Sequence, residues 1–196
     1  MILVVGQPRS GTTAVARMLH HLGCPMGLAM AMPMPAPGTD YDFEDIFFLS
    51  DVKYKPISEV WPRYEAARAD QRKNFIAAGL PVADEWGVKT AHLYNHLDEI
   101  KRVSTETVKV VECKRPKWER EESARVQFRH VEDAMTREKM LAEMNSFEGL
   151  SCPSADLTVE YESLQSESVA HELARLCGSK NDPSLVYLNV SRHWSK

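Results

Sequence analysis

The sequence predicts a single α/β domain in three layers, a mostly parallel sheet flanked by helices. Three observations predict this class. The chain opens with an aliphatic run that closes on glycine and leads into a segment of helical period. Short β-branched runs then alternate with helix-spaced segments along its length, the pattern of parallel strands joined by crossover helices. Finally, no internal repeat or compositional break divides the 196 residues, so residues 1–196 read as one domain with enough chain to bury a core.

Taken in order, Ile2-Leu3-Val4-Val5 is apolar on both faces and ends at Gly6, a fully buried strand. Thr12 to His21 carries Val15, Met18 and Leu19 on one helical face, and Gly23 stops it. Residues 25–40 are rich in Met, Ala and Pro and form a loop or a loosely helical flap. Asp42 to Val52 is a short helix or an irregular segment, and Arg63 to Ala78 is a polar helix ended by Gly79. Glu85 to Lys89 closes a second strand, His92 to Val103 is helical, and Thr107 to Cys113 is the third strand. From Lys117 to Ser146 the pattern predicts one long charged helix with Val126, Met135, Leu141 and Met144 on its apolar side. Leu157 to Glu160 is a fourth strand, Ser168 to Cys177 a helix stopped by Gly178, and Leu185 to Val190 a final strand.

Composition narrows the function classes. Hydrophobic residues are 43% and charged residues 27%, an ordinary globular balance. A net charge of −4 gives no general attraction to nucleic acid or to an anionic membrane. The longest apolar stretch, Pro25 to Pro37, is broken by Pro33 and Pro35, so no membrane span is expected. Cys24, Cys113, Cys152 and Cys177 are widely spaced with no Cys-x-x-Cys pair, which fits a reducing compartment and a cytoplasmic protein. The apolar start of the chain is too short for a secretory leader.

The segment Gly6-Gln7-Pro8-Arg9-Ser10-Gly11-Thr12-Thr13 lies between the first strand and the first helix. Backbone amides there point at a ligand and the helix dipole adds positive charge, which suits phosphate. The spacing is that of a G-x-x-x-x-G phosphate loop, which implies a P-loop fold, but Thr12 stands where the Walker lysine belongs. The cation sits earlier, on Arg9. A second basic run, Lys114-Arg115-Pro116-Lys117-Trp118-Glu119-Arg120, follows the third strand. Cations are disfavoured at a helix start, so this run implies an anionic ligand.

Pro8-Arg9-Ser10-Gly11-Thr12-Thr13 resembles the 5′-phosphosulfate loop of sulfotransferases, written P-[KR]-S/T-G-T-T, in the heparan-sulfate and bacterial or phage branches. The resemblance implies that Arg9, Ser10, Gly11, Thr12 and Thr13 hold the 5′ end of 3′-phosphoadenosine-5′-phosphosulfate (PAPS), with 3′,5′-bisphosphoadenosine (PAP) as product and no metal. Arg115 and Ser123 match the family's Arg-x7-Ser pair, which implies contacts to the 3′-phosphate.

Phe43-Glu44-Asp45-Ile46-Phe47-Phe48 is similar to the Glu-x-x-Phe-Phe segment of the heparan-sulfate branch, which implies that Glu44 is the base. Lys89-Thr90-Ala91-His92-Leu93-Tyr94 is similar to its Lys-Thr-x-x-Tyr segment, with Tyr94 one residue late, which implies that Lys89 touches the sulfuryl group. His92 is the rival base, displaced by one residue from the Lys-Thr-His of cytosolic members. Leu157 to Leu164 resembles the Tyr-Glu-x-Leu strand end, with a structural role implied. On this reading the partner is a small-molecule or glycan acceptor with a hydroxyl or amine, and residues 25–80 are an acceptor-side loop and helical insertion.

Two other classes remain open. A P-loop kinase would use Glu112 for Mg²⁺ but lacks the lysine. A non-catalytic nucleotide-binding relative would keep the cradle without turnover. His92 and His96 share a helix face, yet no third ligand is spaced to join them in a metal site.

Overall fold

The computed structural model describes residues 1–27, 51–52, 54–79, 82–89, 91–128 and 133–191. Four strands, β1 (Ile2–Gly6), β2 (Gly87–Lys89), β3 (Lys109–Lys114) and β4 (Leu157–Glu160), form one all-parallel sheet in the order β2-β1-β3-β4. Each was expected, β1, β3 and β4 from short apolar or β-branched runs and β2 as the close of the segment Glu85 to Lys89. The register sets Val4 beside Lys89 and Val111, and Val5 beside Glu112. Because side chains alternate across a sheet, Lys89 and Glu112 leave it on opposite faces at the same carboxyl edge.

Helices cover both faces. On one side Ile2, Val4, Val111, Cys113 and Val159 pack under α1 (Thr12–His21), α6 (Glu167–Cys177) and α7 (Pro183–Ser191). On the other, Leu3, Val5, Val88 and Val110 pack under α2 (Ile57–Ala77) and α3 (Leu97–Val103). A 3₁₀ turn (Ala91–His96) precedes α3 and another (Tyr161–Gln165) follows β4. The excursion after β3 is α4 (Lys117–Phe128) and α5 (Ala134–Asn145).

Three expectations are corrected. The apolar tail 185–190 is helical, because Asp182 Oδ1 accepts from the Ser184 amide and Pro183 occupies the first helical position. The long helix from Lys117 is two helices: Asp133 caps a new start by accepting from the amides of Met135 and Thr136. The helix expected from Arg63 begins earlier, at Ile57. Ile57, Val60, Trp61 and Tyr64 make the stripe that holds it, despite Pro62 inside the helix. Of the segment Asp42 to Val52 only Asp51 and Val52 are described, and both are helical; residues 42–50 and 28–40 lie outside the described residues.

The outer edge of β2 is closed by residues 25–27, with Gly87 N donating to Pro25 O and Gly27 N to Gly87 O. Arg68 locks this edge from α2. Its side chain is fully buried over the Trp86 ring and donates to Gly87 O at 2.9 Å, to Gln71 Oε1 at 2.6 Å and to Pro25 O. Both terminal nitrogens of this buried guanidinium are hydrogen-bonded, which offsets the cost of burying its charge, and the carbonyls it serves have no water to turn to. Arg68→Ala is therefore expected to lower the unfolding free energy by about 3 kcal/mol. The check is the urea midpoint; an unchanged midpoint would mean that edge is held without Arg68.

Candidate functional site

In open parallel sheets ligands bind beyond the carboxyl ends of strands, where connections from neighbouring strands leave in opposite directions. In the order β2-β1-β3-β4 that point lies between β1 and β3. A cavity of about 410 Å³ sits there, lined by Gln7 and Ser10 after β1, by Glu112 to Lys117 at the end of β3, and by Arg120, Glu148, Leu150, Glu160 and Tyr94.

The loop after β1 is tightly made. Ser10 N donates to Gln7 O at 3.1 Å, and both Arg9 (φ 70°) and Gly11 (φ 95°) are left-handed. Arg9 is the only described non-glycine residue with positive φ, a conformation that costs an L-residue about 1 kcal/mol. Arg115 Nη1 donates to the Arg9 carbonyl at 3.3 Å and so helps to hold that turn. A methyl group on Gly6 would lie 2.6 Å from Thr12 Cγ2 and 2.9 Å from the Cys113 carbonyl oxygen, so the loop folds back only over glycine. Gly11 opens α1, and a side chain there would strike Leu164 Cδ1 at 2.7 Å. The amides of the first turn have no intrahelical acceptor.

Of the residues expected at a site, the structure brings together Arg9, Ser10, Arg115 and Ser123. The Arg9 guanidinium donates to Ser123 Oγ from Nε at 3.1 Å and from Nη2 at 3.0 Å. Arg115 Nε donates to Glu119 Oε2 at 3.0 Å, and its guanidinium carbon lies 3.6 Å from the centre of the Tyr161 ring. The two basic elements thus share one edge. They are contiguous, however, because Arg9 reaches over to Ser123 instead of staying above the start of α1.

At that start the cation is Lys89. It is buried (3% exposed) and its Nζ donates to Thr13 Oγ1 at 3.1 Å. Thr12 begins the same helix, with its methyl turned toward Gly6. His92 stands apart: its ring is edge-on to Phe147 at 5.2 Å, and it is not among the residues lining the cavity. Glu44, together with its flanking phenylalanines, lies outside the described residues, as does Thr90.

The basic run at the start of α4 is less cationic than its sequence suggests. Arg115 pairs with Glu119, Arg120 with Glu148 at 3.0 Å, Lys117 with Glu148 at 3.9 Å and Lys114 with Glu112 at 3.2 Å. The cavity lining holds four cations against three carboxylates. Local ion pairing meets much of the dipole conflict that the sequence alone presents.

The sequence offered Glu112 only as a Mg²⁺ ligand for a kinase and Tyr94 only within a family-like segment; their contact with each other was not foreseen. Glu112 is 1% exposed. Its Oε1 accepts from the Cys152 amide at 2.8 Å and from Tyr94 Oη at 3.1 Å. Burial, and then the neighbouring Glu112 carboxylate, push the Tyr94 hydroxyl well above its ordinary range, so it remains a donor. A further signal in the sequence is an acid in an apolar strand, Val-Val-Glu-Cys. Tyr94 also lines a second cavity of about 580 Å³, with Asp98, Glu99, Lys101, Arg102, Ser151 and Ser154.

Three of the four cysteines are poor nucleophiles. Burial pushes Cys177 up to about 11 and Cys24 and Cys113 higher still, leaving them protonated near neutral pH. No group of three His, Cys, Asp or Glu residues able to hold a metal occurs among the described residues, and no described helix is long and apolar enough to cross a membrane. Comparison with protein-family models, with curated proteins and with solved structures returned no match.

Proposed function

We propose that this chain transfers a sulfuryl group from PAPS to a hydroxyl or amine of a small-molecule or glycan acceptor. The observation that carries the reading is the junction of Arg9, Arg115 and Ser123 beside a glycine-closed loop at the carboxyl edge of the sheet. This junction joins the two segments whose sequences resemble the family's nucleotide contacts.

The residues present suit the donor. Ser10 Oγ is buried with no hydrogen-bond partner, and the tight packing around Gly6 forms a cradle closed to a side chain. On this reading the amides of Gly11, Thr12 and Thr13 and the Ser10 hydroxyl bind the 5′-phosphosulfate. Arg9, Arg115 and Ser123 bind the 3′-phosphate, Arg115 already aligned by Glu119 and Tyr161. Lys89, at the carboxyl end of β2 and hydrogen-bonded to Thr13, neutralises charge on the oxygen that bridges phosphorus and sulfur. In-line transfer asks little else of the protein beyond alignment and removal of the acceptor proton. The second cavity, behind Tyr94, gives an acceptor room to approach.

The test is transfer of label from ³⁵S-PAPS to a panel of hydroxyl and amine acceptors in excess EDTA. Transfer is expected to persist without divalent metal. No ³⁵S transfer, together with Mg²⁺-dependent transfer of label from γ-³²P-ATP that EDTA abolishes, would instead favour a kinase acting through Glu112 and Mg²⁺.

A further inference from the structure

Two buried polar atoms on the cavity between β1 and β3 lack a hydrogen bond: Ser10 Oγ and Glu112 Oε2. Both residues are 1% exposed. A buried polar atom left without a hydrogen bond costs free energy, so Ser10 Oγ, and Oε2 with only an ion pair to offset that cost, mark a place where a ligand supplies the missing bonds. Their chemistries are complementary. The serine hydroxyl donates or accepts, whereas the carboxylate oxygen only accepts.

The carboxylate is aimed. Tyr94 Oη and the Cys152 amide both occupy Oε1, which fixes the plane of the group and turns Oε2 away from them. Oε2 meets only the ammonium of Lys114, 3.2 Å away in an ion pair without hydrogen-bond alignment. Lys114 is itself 46% exposed on a flexible stem. An anionic donor entering the cavity attracts that ammonium and uncovers Oε2.

We infer that Glu112 is the general base that takes the proton of the acceptor hydroxyl, an inference that rests on the sulfuryl-transfer reading above. The acceptor O–H donates to Oε2, and its proton passes to the carboxylate as the acceptor oxygen bonds to sulfur. The bond between sulfur and the bridging oxygen breaks, and the electron pair leaves on the 5′-phosphate of PAP. The arrangement also orders the reaction: the donor binds first, drawing Lys114 away, and only then does the base face the acceptor. His92, edge-on to Phe147, is not part of this wall.

The experiment uses the full chain, wild type and Glu112→Gln, the latter keeping the shape of the side chain. Two readouts are taken: calorimetric binding of PAP, and release of label from ³⁵S-PAPS to water, 4-nitrophenol and N-acetylglucosamine. Expected is PAP affinity within about threefold of wild type and label transfer lower by about 100-fold or more. If the glutamine variant does not fold, Glu112→Asp, which keeps the charge but retracts it by one methylene, carries the same expectation. Equal transfer by variant and wild type overturns the role of Glu112 and leaves the sulfuryl-transfer reading intact. Wild type that binds PAP but transfers no label also overturns it, and wild type that does not bind PAP overturns both.

Discussion

Lys89→Met is expected to slow sulfuryl transfer by about 10²–10³-fold, a loss of about 3–4 kcal/mol of transition-state stabilisation. The size follows from where the ammonium sits. Lys89 is 3% exposed, so little water screens it, and it is held at the first turn of α1 through Thr13 Oγ1. A preorganised cation there interacts most strongly with the charge that grows on the bridging oxygen as the sulfur–oxygen bond breaks. That charge is small in the bound donor and large in the transition state, so the loss falls on kcat more than on KM. PAP has no sulfuryl group, and its affinity should change less than about tenfold. Methionine fills the volume of the lysine stem, which protects the packing beside α1. An unchanged kcat would reduce Lys89 to a structural tie between β2 and α1.

Much of the fold was readable because its central strands are buried on both faces, whereas the edge strand β4 buries only Val159 fully. Ile2 to Val5, Thr107 to Cys113 and Leu157 to Glu160 are short runs expected as strands, and strands form there at Ile2–Gly6, Lys109–Lys114 and Leu157–Glu160. Misreadings arose where a cap outweighed hydrophobic pattern. The apolar residues 185–190 look like strand, but Asp182 and Pro183 start a helix in front of them. Likewise Asp133 and Thr136 start a second helix inside a charged run whose period continues across the break. At Ile57 a proline five residues further on hid a helix that tertiary packing stabilises.

The site divides in the same way. Arg9, Ser10, Arg115 and Ser123 could be read from sequence because loops after adjacent parallel strands leave the same sheet edge. Glu112 was legible only as an acid near a strand end that could hold Mg²⁺; its surroundings were not, because Tyr94 and the Cys152 amide come from other parts of the chain. Nor was the pairing of Arg120 and Lys117 with Glu148, 28 and 31 positions away, which tempers the basic run.

On the sulfuryl-transfer proposal, recognition of the adenine nucleotide is expected to turn on Arg115. Its guanidinium is stacked on Tyr161, bonded to Glu119 and tied to the Arg9 carbonyl, so its orientation is set before any ligand arrives. A preorganised fork loses little side-chain entropy on gripping a phosphate, and alanine removes the charge, the fork and the brace on the Arg9 turn together. The decisive measurement is calorimetric titration of the wild type with PAP beside ATP, repeated on Arg115→Ala. The account predicts micromolar or tighter binding of PAP, much weaker binding of ATP, and a loss of at least about 100-fold in PAP affinity on substitution. ATP binding as tightly as PAP, or PAP affinity indifferent to Arg115, would contradict it.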